Sequence, residues 1–296
     1  MLKEKPLVSV LIANYNNGIY IKQAVDSVID QTYENWEIII VDDASTDNSW
    51  LIIQDIVKLH SNIYSYQNKK NLKVAATKSK ATALANGEIC AILDPDDALV
   101  NTAIAKHVQR YRKNPGISLV SSNYYRCDQF LNVTATNESI YRPENFYSYL
   151  SSTGGIHHFW TFQKTKYHLT KGFDVKLILA EDQDLFYKLE EVGEVQVIDE
   201  PLYYYRIHHK AISQGDKVAL AYAYHLLAKI NVNKRRSLHD DEKKVIKNSV
   251  LNFMDWGINK IEKSFRMKLM RKTIELFPEL IFHKKIIHHI YRLVSI

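Results

Sequence analysis

Three carboxylates crowd into four residues at Asp94-Pro95-Asp96-Asp97, directly after the apolar run Ile89-Cys90-Ala91-Ile92-Leu93. A short continuous apolar run of this kind reads as a buried strand. Unpaired carboxylates cost many kcal/mol inside a protein, so these belong at the strand's carboxyl end, facing solvent or a counter-cation. In open α/β sheets that edge is where ligands bind. Oxygen ligands at this density suit a hard divalent cation such as Mg²⁺ or Mn²⁺, which could in turn hold phosphate oxygens. The competing explanation is an acidic turn that caps the next helix, because Asp favours N-cap positions.

The elements before this stretch place it. Residues 7–13 form an apolar, β-branched run that Asn14-Tyr15-Asn16 breaks, and a helix with Ile21, Ala24, Val25, Val28 and Ile29 at helical spacing follows. Residues 36–41 repeat the pattern and end in Asp42-Asp43-Ala44-Ser45, after which Thr46 or Asp47 can cap a helix bearing Leu51, Ile52, Ile53, Ile56 and Val57. A weaker strand covers 63–66, a helix covers 74–85, and Gly87 reads as its C-cap. This alternation predicts a mostly parallel sheet with right-handed crossovers. Three strands then end in polar loops on one edge, and their convergence points to a nucleotide-type site. Further on, 102–111 reads as helix, 117–125 as strand, 182–192 as helix and 195–198 as strand; the pattern is helical from Asp216 onward. A boundary near Gly215 divides an α/β domain of residues 1–215 from a helical region of 216–296.

Composition narrows the class. With 46% hydrophobic and 24% charged residues, the chain is of ordinary globular type. It holds no run of about 18 apolar residues that could span a bilayer. Cys90 and Cys127 are its only cysteines, which argues against a disulfide framework and for a reducing, cytoplasmic setting. The net charge of +6 is uneven, with Lys and Arg crowding the region after Gly215. A solvated helical face explains such a distribution; so does contact with an anionic surface.

Five segments together resemble the inverting family 2 glycosyltransferases of the GT-A fold, over about the first 215 residues. Residues 8–16 and 40–47 resemble that family's first two strand–loop units, and Asp94-Pro95-Asp96-Asp97 resembles its metal-binding DxD. Glu181-Asp182-Gln183-Asp184 is similar to the ED motif that supplies the catalytic base, and Tyr205-Arg206-Ile207-His208 to a late segment whose His reaches the metal and diphosphate. The resemblance implies a Rossmann-like α/β domain and a nucleotide-sugar donor. Tyr15 would pack on the nucleobase, with the backbone near Ala13 at its edge. Asp43 would accept from a base N–H, which favours uracil and hence a UDP-sugar. Asp94 would meet the ribose or the water shell of the metal, while Asp96 and His208 would ligate Mn²⁺ or Mg²⁺. Asp182 would be the general base, with Glu181 in reserve beside the acceptor.

Departures from the family pattern are visible too. Lys73 stands where Gly is usual and Lys78 where Arg is common, and Lys keeps the charge but loses the planar fork of donors. Lys78 is therefore assigned to donor binding on charge alone. In the irregular segment that holds His157 and His158, Trp160 is the candidate for stacking on an acceptor sugar, against an equal case for core packing.

The expectation is a metal-dependent inverting transferase that moves a sugar to an acceptor hydroxyl in bacterial surface polysaccharide synthesis. Its partners would be a nucleotide sugar and a glycan or lipid-linked acceptor, with no nucleic acid. Basic C-terminal helices would permit peripheral contact with the inner membrane face, while most helical amphipathicity serves packing, here on the catalytic domain. The rivals are a phosphohydrolase with Asp94 as nucleophile, and a binding module that has lost catalysis.

Overall fold

The computed structural model describes residues 3–137, 148–150, 156, 158–208 and 218–294, with side chains up to 289. The expected boundary at Gly215 lies outside the described residues, as does His157. Strand–helix alternation gives β1 (Val8–Asn14), α1 (Ile21–Ile29), β2 (Trp36–Asp42), α2 (Ser49–Leu59), β3 (Ile63–Gln67), α3 (Val74–Leu84) and β4 (Ile89–Ile92). Then come β5 (Ala98–Leu99), α4 (Ala103–Lys113), β6 (Ile117–Cys127), β7 (Val133–Thr136), β8 (Trp160–Gln163), α5 (Lys164–Leu169), α6 (Glu181–Glu190) and β9 (Glu194–Arg206). Four helices follow: α7 (Val218–Val232), α8 (Asp240–Trp256), α9 (Lys263–Leu276) and α10 (Lys284–Val294).

The strands build one α/β sheet in the order β3-β2-β1-β4-β8-β6-β9-β5, with β7 on β6. β1 pairs in parallel with both β2 and β4, so Asn14 lies opposite Asp42 and Leu93 follows on the same edge. Parallel register is therefore the physical reason that the three polar loops converge. β8 enters antiparallel between β4 and β6, a placement not foreseen from its irregular surroundings. β9 is one long strand, parallel to β6 and antiparallel to β5, and it delivers Arg206 beside the acidic loop.

Successive strand residues face opposite sides, and here both sides are buried. Val10, Ile12, Ile38 and Ile40 join Ile21, Val25, Ile53 and Ile104 in one core, while Leu11, Ile39 and Val41 join Ala81, Tyr167, Leu185 and Leu189 in another. That explains the continuous apolar runs, because a sheet covered by helices on both faces needs no polar side. A third core unites α7–α10 with Leu177, Ala180 and Tyr187, so the C-terminal helices pack against the start and middle of α6.

Two sequence expectations need correcting. Helix α3 ends at Leu84 with Ala85 extended, so Gly87 is not its C-cap. A Cβ at Gly87 would lie 2.6 Å from Ser9 Oγ and 2.7 Å from Leu7 O, and only glycine permits that close approach of β1. Neither Thr46 nor Asp47 is the N-cap residue of α2, a position that Asn48 occupies. Asp47 instead accepts the Ser49 and Gly18 N–H groups and ties the first two loops together. Cys90 and Cys127 are both buried free thiols, as expected of a chain with only two cysteines in structured segments.

Candidate active site

The three parallel strands bring Asp43, Asp94 and their neighbours to one edge, and α6 and the end of β9 close it from the other side. Asp94 follows β4, and its N–H donates to Tyr203 Oη at 3.3 Å. Asp97 is buried; it accepts Tyr203 O–H and the Arg206 N–H, each at 2.7 Å. Burial, then the charges of Asp96 and Asp94, push its carboxyl well above the usual carboxylate range. Asp97 is thus the internal anchor between the acidic loop and β9.

Arg206 completes that anchor. Its guanidinium donates to the carbonyls of Asp96 and Gln129 and to Gln23 Oε1, and it lies 4.4 Å from the centre of the Tyr20 ring. Tyr20 also meets the ring of His208, at 5.0 Å between centroids. With its loop fixed in this way, His208 Nε2 comes 2.9 Å from Asp96 Oδ2. His208 is buried, and its Nδ1 has no hydrogen-bond partner among the described residues.

Lys78 projects from α3 into the space between Asp94 and α6. Its Nζ lies 2.9 Å from Glu181 Oε1 and 3.8 Å from Asp94 Oδ1. Burial alone would lower its pKa, but the charges of Glu181, Asp94 and Asp182 outweigh that and hold the ammonium above its ordinary value. Glu181 is therefore spent on Lys78 and buried, which corrects its expected place beside the acceptor. Asp182, one residue on, is only partly buried; its Oδ1 accepts the Gln183 N–H at 2.7 Å. Ala180 precedes it in the left-handed region (φ 58°), which turns the chain sharply into α6.

The polar edge after β2 is organised by Asp42 and Asp43. Asp43 accepts from Asn68 Nδ2 and Leu72 N–H at 2.8 Å and from Lys73 N–H at 2.9 Å. A carboxylate offers about four acceptor positions, and these three donors occupy three of them. Lys73, at φ 74°, takes the backbone conformation that glycine would hold there without strain. Tyr15 is 44% exposed beside Ala13 and Asn14.

Trp160 does not reach the site. It is 4% exposed on β8, edge-on to Phe186 at 4.9 Å and beside Phe162 and Phe173, so it serves core packing and its acceptor role is withdrawn. The residue that does reach the site from this segment is His158. Its ring is stacked on Tyr205 and Tyr203, and its Nδ1 lies 3.8 Å from Asp94 Oδ2. A lone His in an irregular segment carries no period that would single it out. The alternation of Tyr203 and Tyr205 on one face of a strand was the available signal.

The donor set fits a hard divalent cation. Among the described residues, ligand atoms of Asp94, Asp97 and His158 lie within 4.8 Å of one another. Asp97 accepts from Tyr203 and Arg206, and outside this cluster Asp96 Oδ2 and His208 Nε2 approach each other to 2.9 Å. Two carboxylates and an imidazole suit Mn²⁺ or Mg²⁺.

The model of the family "Glycosyl transferase family 2" matches residues 9–169. Chondroitin synthase of Escherichia coli is 32% identical over 210 residues, which cover 70% of this chain and 30% of that protein. This chain thus spans less than a third of that relative's length. S. aureus TarS 1-349, solved in complex with UDP, superposes with a TM-score of 0.67 at 15% identity, covering 92% of this chain and 81% of that one. The mannosyltransferase PcManGT of Pyrobaculum calidifontis, solved with GDP-Man and Mn²⁺, gives 0.63 at 16% identity, covering 98% and 85%. No helix among the described residues is long and apolar enough to cross a membrane. By the family match and the architecture it shares with these structures, the chain belongs to glycosyl transferase family 2 and carries the GT-A fold.

Proposed function

We propose that this protein is a metal-dependent inverting glycosyltransferase that moves a sugar from a UDP-sugar to an acceptor hydroxyl in surface polysaccharide synthesis. The observation that carries this reading is the placement of Lys78 between the strand-end carboxylate Asp94 and the start of α6, where Asp182 stands partly exposed. Tyr15 offers a ring face for the base, and Asp43 one remaining acceptor position for a base N–H. Asp96 and His208 would hold Mn²⁺ or Mg²⁺, which when bound supplies Lewis-acid stabilisation of the departing diphosphate. Asp182 accepts the proton of the attacking hydroxyl, a role that needs a carboxylate within about 3 Å of that oxygen. Lys78 stays cationic beside both groups and limits the repulsion among Asp94, Glu181 and Asp182.

The similarity to a chondroitin synthase supports a polysaccharide product. The UDP complex of the structural neighbour TarS supports the UDP donor. On the same reading the acceptor is a glycan or a lipid-linked glycan, and the C-terminal helices rest on an anionic membrane surface. Residues 216–296 hold 17 Lys and Arg against 8 Asp and Glu, and Phe282 there is 83% exposed.

Calorimetric titration of a nucleotide panel, with and without Mn²⁺, tests the reading. UDP should bind wild type only with Mn²⁺, fail to bind Asp96→Ala, and still bind Asp182→Asn. The last variant should lose transfer by about 100-fold or more. A wild type that binds no nucleotide, or an Asp182→Asn that transfers at full rate, refutes it.

A further inference from the structure

Each carboxylate oxygen of Asp94 faces one nitrogen, Lys78 Nζ at Oδ1 and His158 Nδ1 at Oδ2, both at 3.8 Å. Neither contact is a hydrogen bond, which needs about 3.2 Å or less between N and O. Lys78 is committed to Glu181 at 2.9 Å. His158 makes no such commitment, and packing alone holds its ring among the described residues. It stacks on Tyr205 (4.6 Å between centroids, 9° between planes) and on Tyr203 (5.4 Å, 13°), with Tyr124 edge-on at 5.6 Å. The side chains of His158 and Asp94 are each 34% exposed, so a ligand can reach the gap between them.

A hydroxyl oxygen about 2.8 Å from both atoms bridges a gap of this size, donating to the carboxylate and bonding the imidazole nitrogen. We propose that His158 and Asp94 together recognise a hydroxyl of the sugar being transferred, which makes His158 a specificity-determining residue of the donor site. This rests on the transferase reading above. Location selects the sugar over the other substrate parts. His158 Nδ1 lies 3.8 Å from Asp94, and the charges of Asp182, Lys78 and Asp96 also act on its ring. On the transferase reading the transferred sugar lies between the diphosphate at Asp96 and the base Asp182, two of the carboxylates whose charges act on the imidazole. The three tyrosine rings fix the imidazole before the ligand arrives, so little side-chain entropy is lost on binding. A site built to bond a hydroxyl also discriminates sharply against ligands lacking it, because its polar groups are then left unpaired.

The test compares affinities for UDP with those for UDP-glucose, UDP-galactose, UDP-N-acetylglucosamine, UDP-N-acetylgalactosamine and UDP-glucuronate, in Mn²⁺, for wild type and His158→Phe. Phe preserves the ring stack and removes the nitrogen. UDP should bind both proteins equally, while the preferred UDP-sugar loses about tenfold or more of its advantage over UDP and over its epimer in the variant. His158→Asn, which keeps a hydrogen-bonding group, should recover part of that advantage. Equal weakening of UDP and UDP-sugars, or an unchanged sugar preference, overturns the proposal while the donor site itself stands. Absence of UDP binding in wild type removes the transferase reading and this one with it.

Discussion

Lys78 Nζ lies 2.9 Å from Glu181 Oε1, a buried ion pair between residues 103 apart in the chain. It fastens α3 to the first residue of α6, the helix that carries Asp182. Removing one partner of a buried pair leaves an uncompensated charge and costs about 3–5 kcal/mol, whereas replacing both with apolar groups is far milder. Lys78→Met should therefore destabilise the protein by that amount in urea unfolding. Lys78→Met with Glu181→Leu should recover part of the loss without recovering transfer. A double variant no more stable than Lys78→Met would show that the two residues do not act as a pair.

Trp160 separates packing from binding. Its burial against Phe186, Phe162 and Phe173 predicts that Trp160→Ala costs about 3–5 kcal/mol. Trp160→Phe should cost much less. Calorimetric melting reads both. A Trp160→Ala protein with wild-type stability and a raised KM for acceptor alone would restore the ring to the acceptor site.

Glu190 links stability to pH. Burial pushes its carboxyl up to about 7, although it accepts the Tyr149 N–H at 2.6 Å and Ser148 Oγ at 3.0 Å. Between the unfolded value near 4.5 and the folded value, the native state binds more protons than the unfolded state. The Glu190 contribution is thus complete below about 4.5 and is lost as pH rises through 7. Glu190→Gln should remove that decline, so its melting temperature should gain on wild type from pH 5 to 8. Parallel profiles for the two proteins would contradict the assignment.

The C-terminal region offers a separate measurement. Ile281 and Phe282 are exposed just before α10, whose Lys284, Ile287 and His288 share one face by their i, i+3, i+4 spacing. Wild type should co-sediment with vesicles containing phosphatidylglycerol but not with pure phosphatidylcholine. Phe282→Ser with Lys284→Glu should weaken this by roughly tenfold or more, from lost apolar burial and reversed charge. Undiminished sedimentation of that variant would rule out this surface.

Much of this protein was legible in its sequence because the signals are local. The apolar runs of β1, β2 and β4 end abruptly in Asn14, Asp42 and Asp94, and that pattern alone implies a helix-covered sheet with a polar edge. The order of the acidic loop, the Glu181-Asp182 pair and His208 pointed to the family. Which residue of each motif faces the site was a different matter, because it depends on partners distant in sequence. Glu181 and Asp182 are adjacent and chemically alike, yet Lys78 from α3 buries the first and leaves the second partly exposed. Trp160 and His158 lie two residues apart, and pairing of β8 between β4 and β6 sends the tryptophan into the core while Tyr203 and Tyr205 hold the histidine at Asp94. Composition and period determine which segments are strands and helices. The choice of the reacting side chain belongs to tertiary packing, since burial and charge pairing are set by whatever element lies opposite.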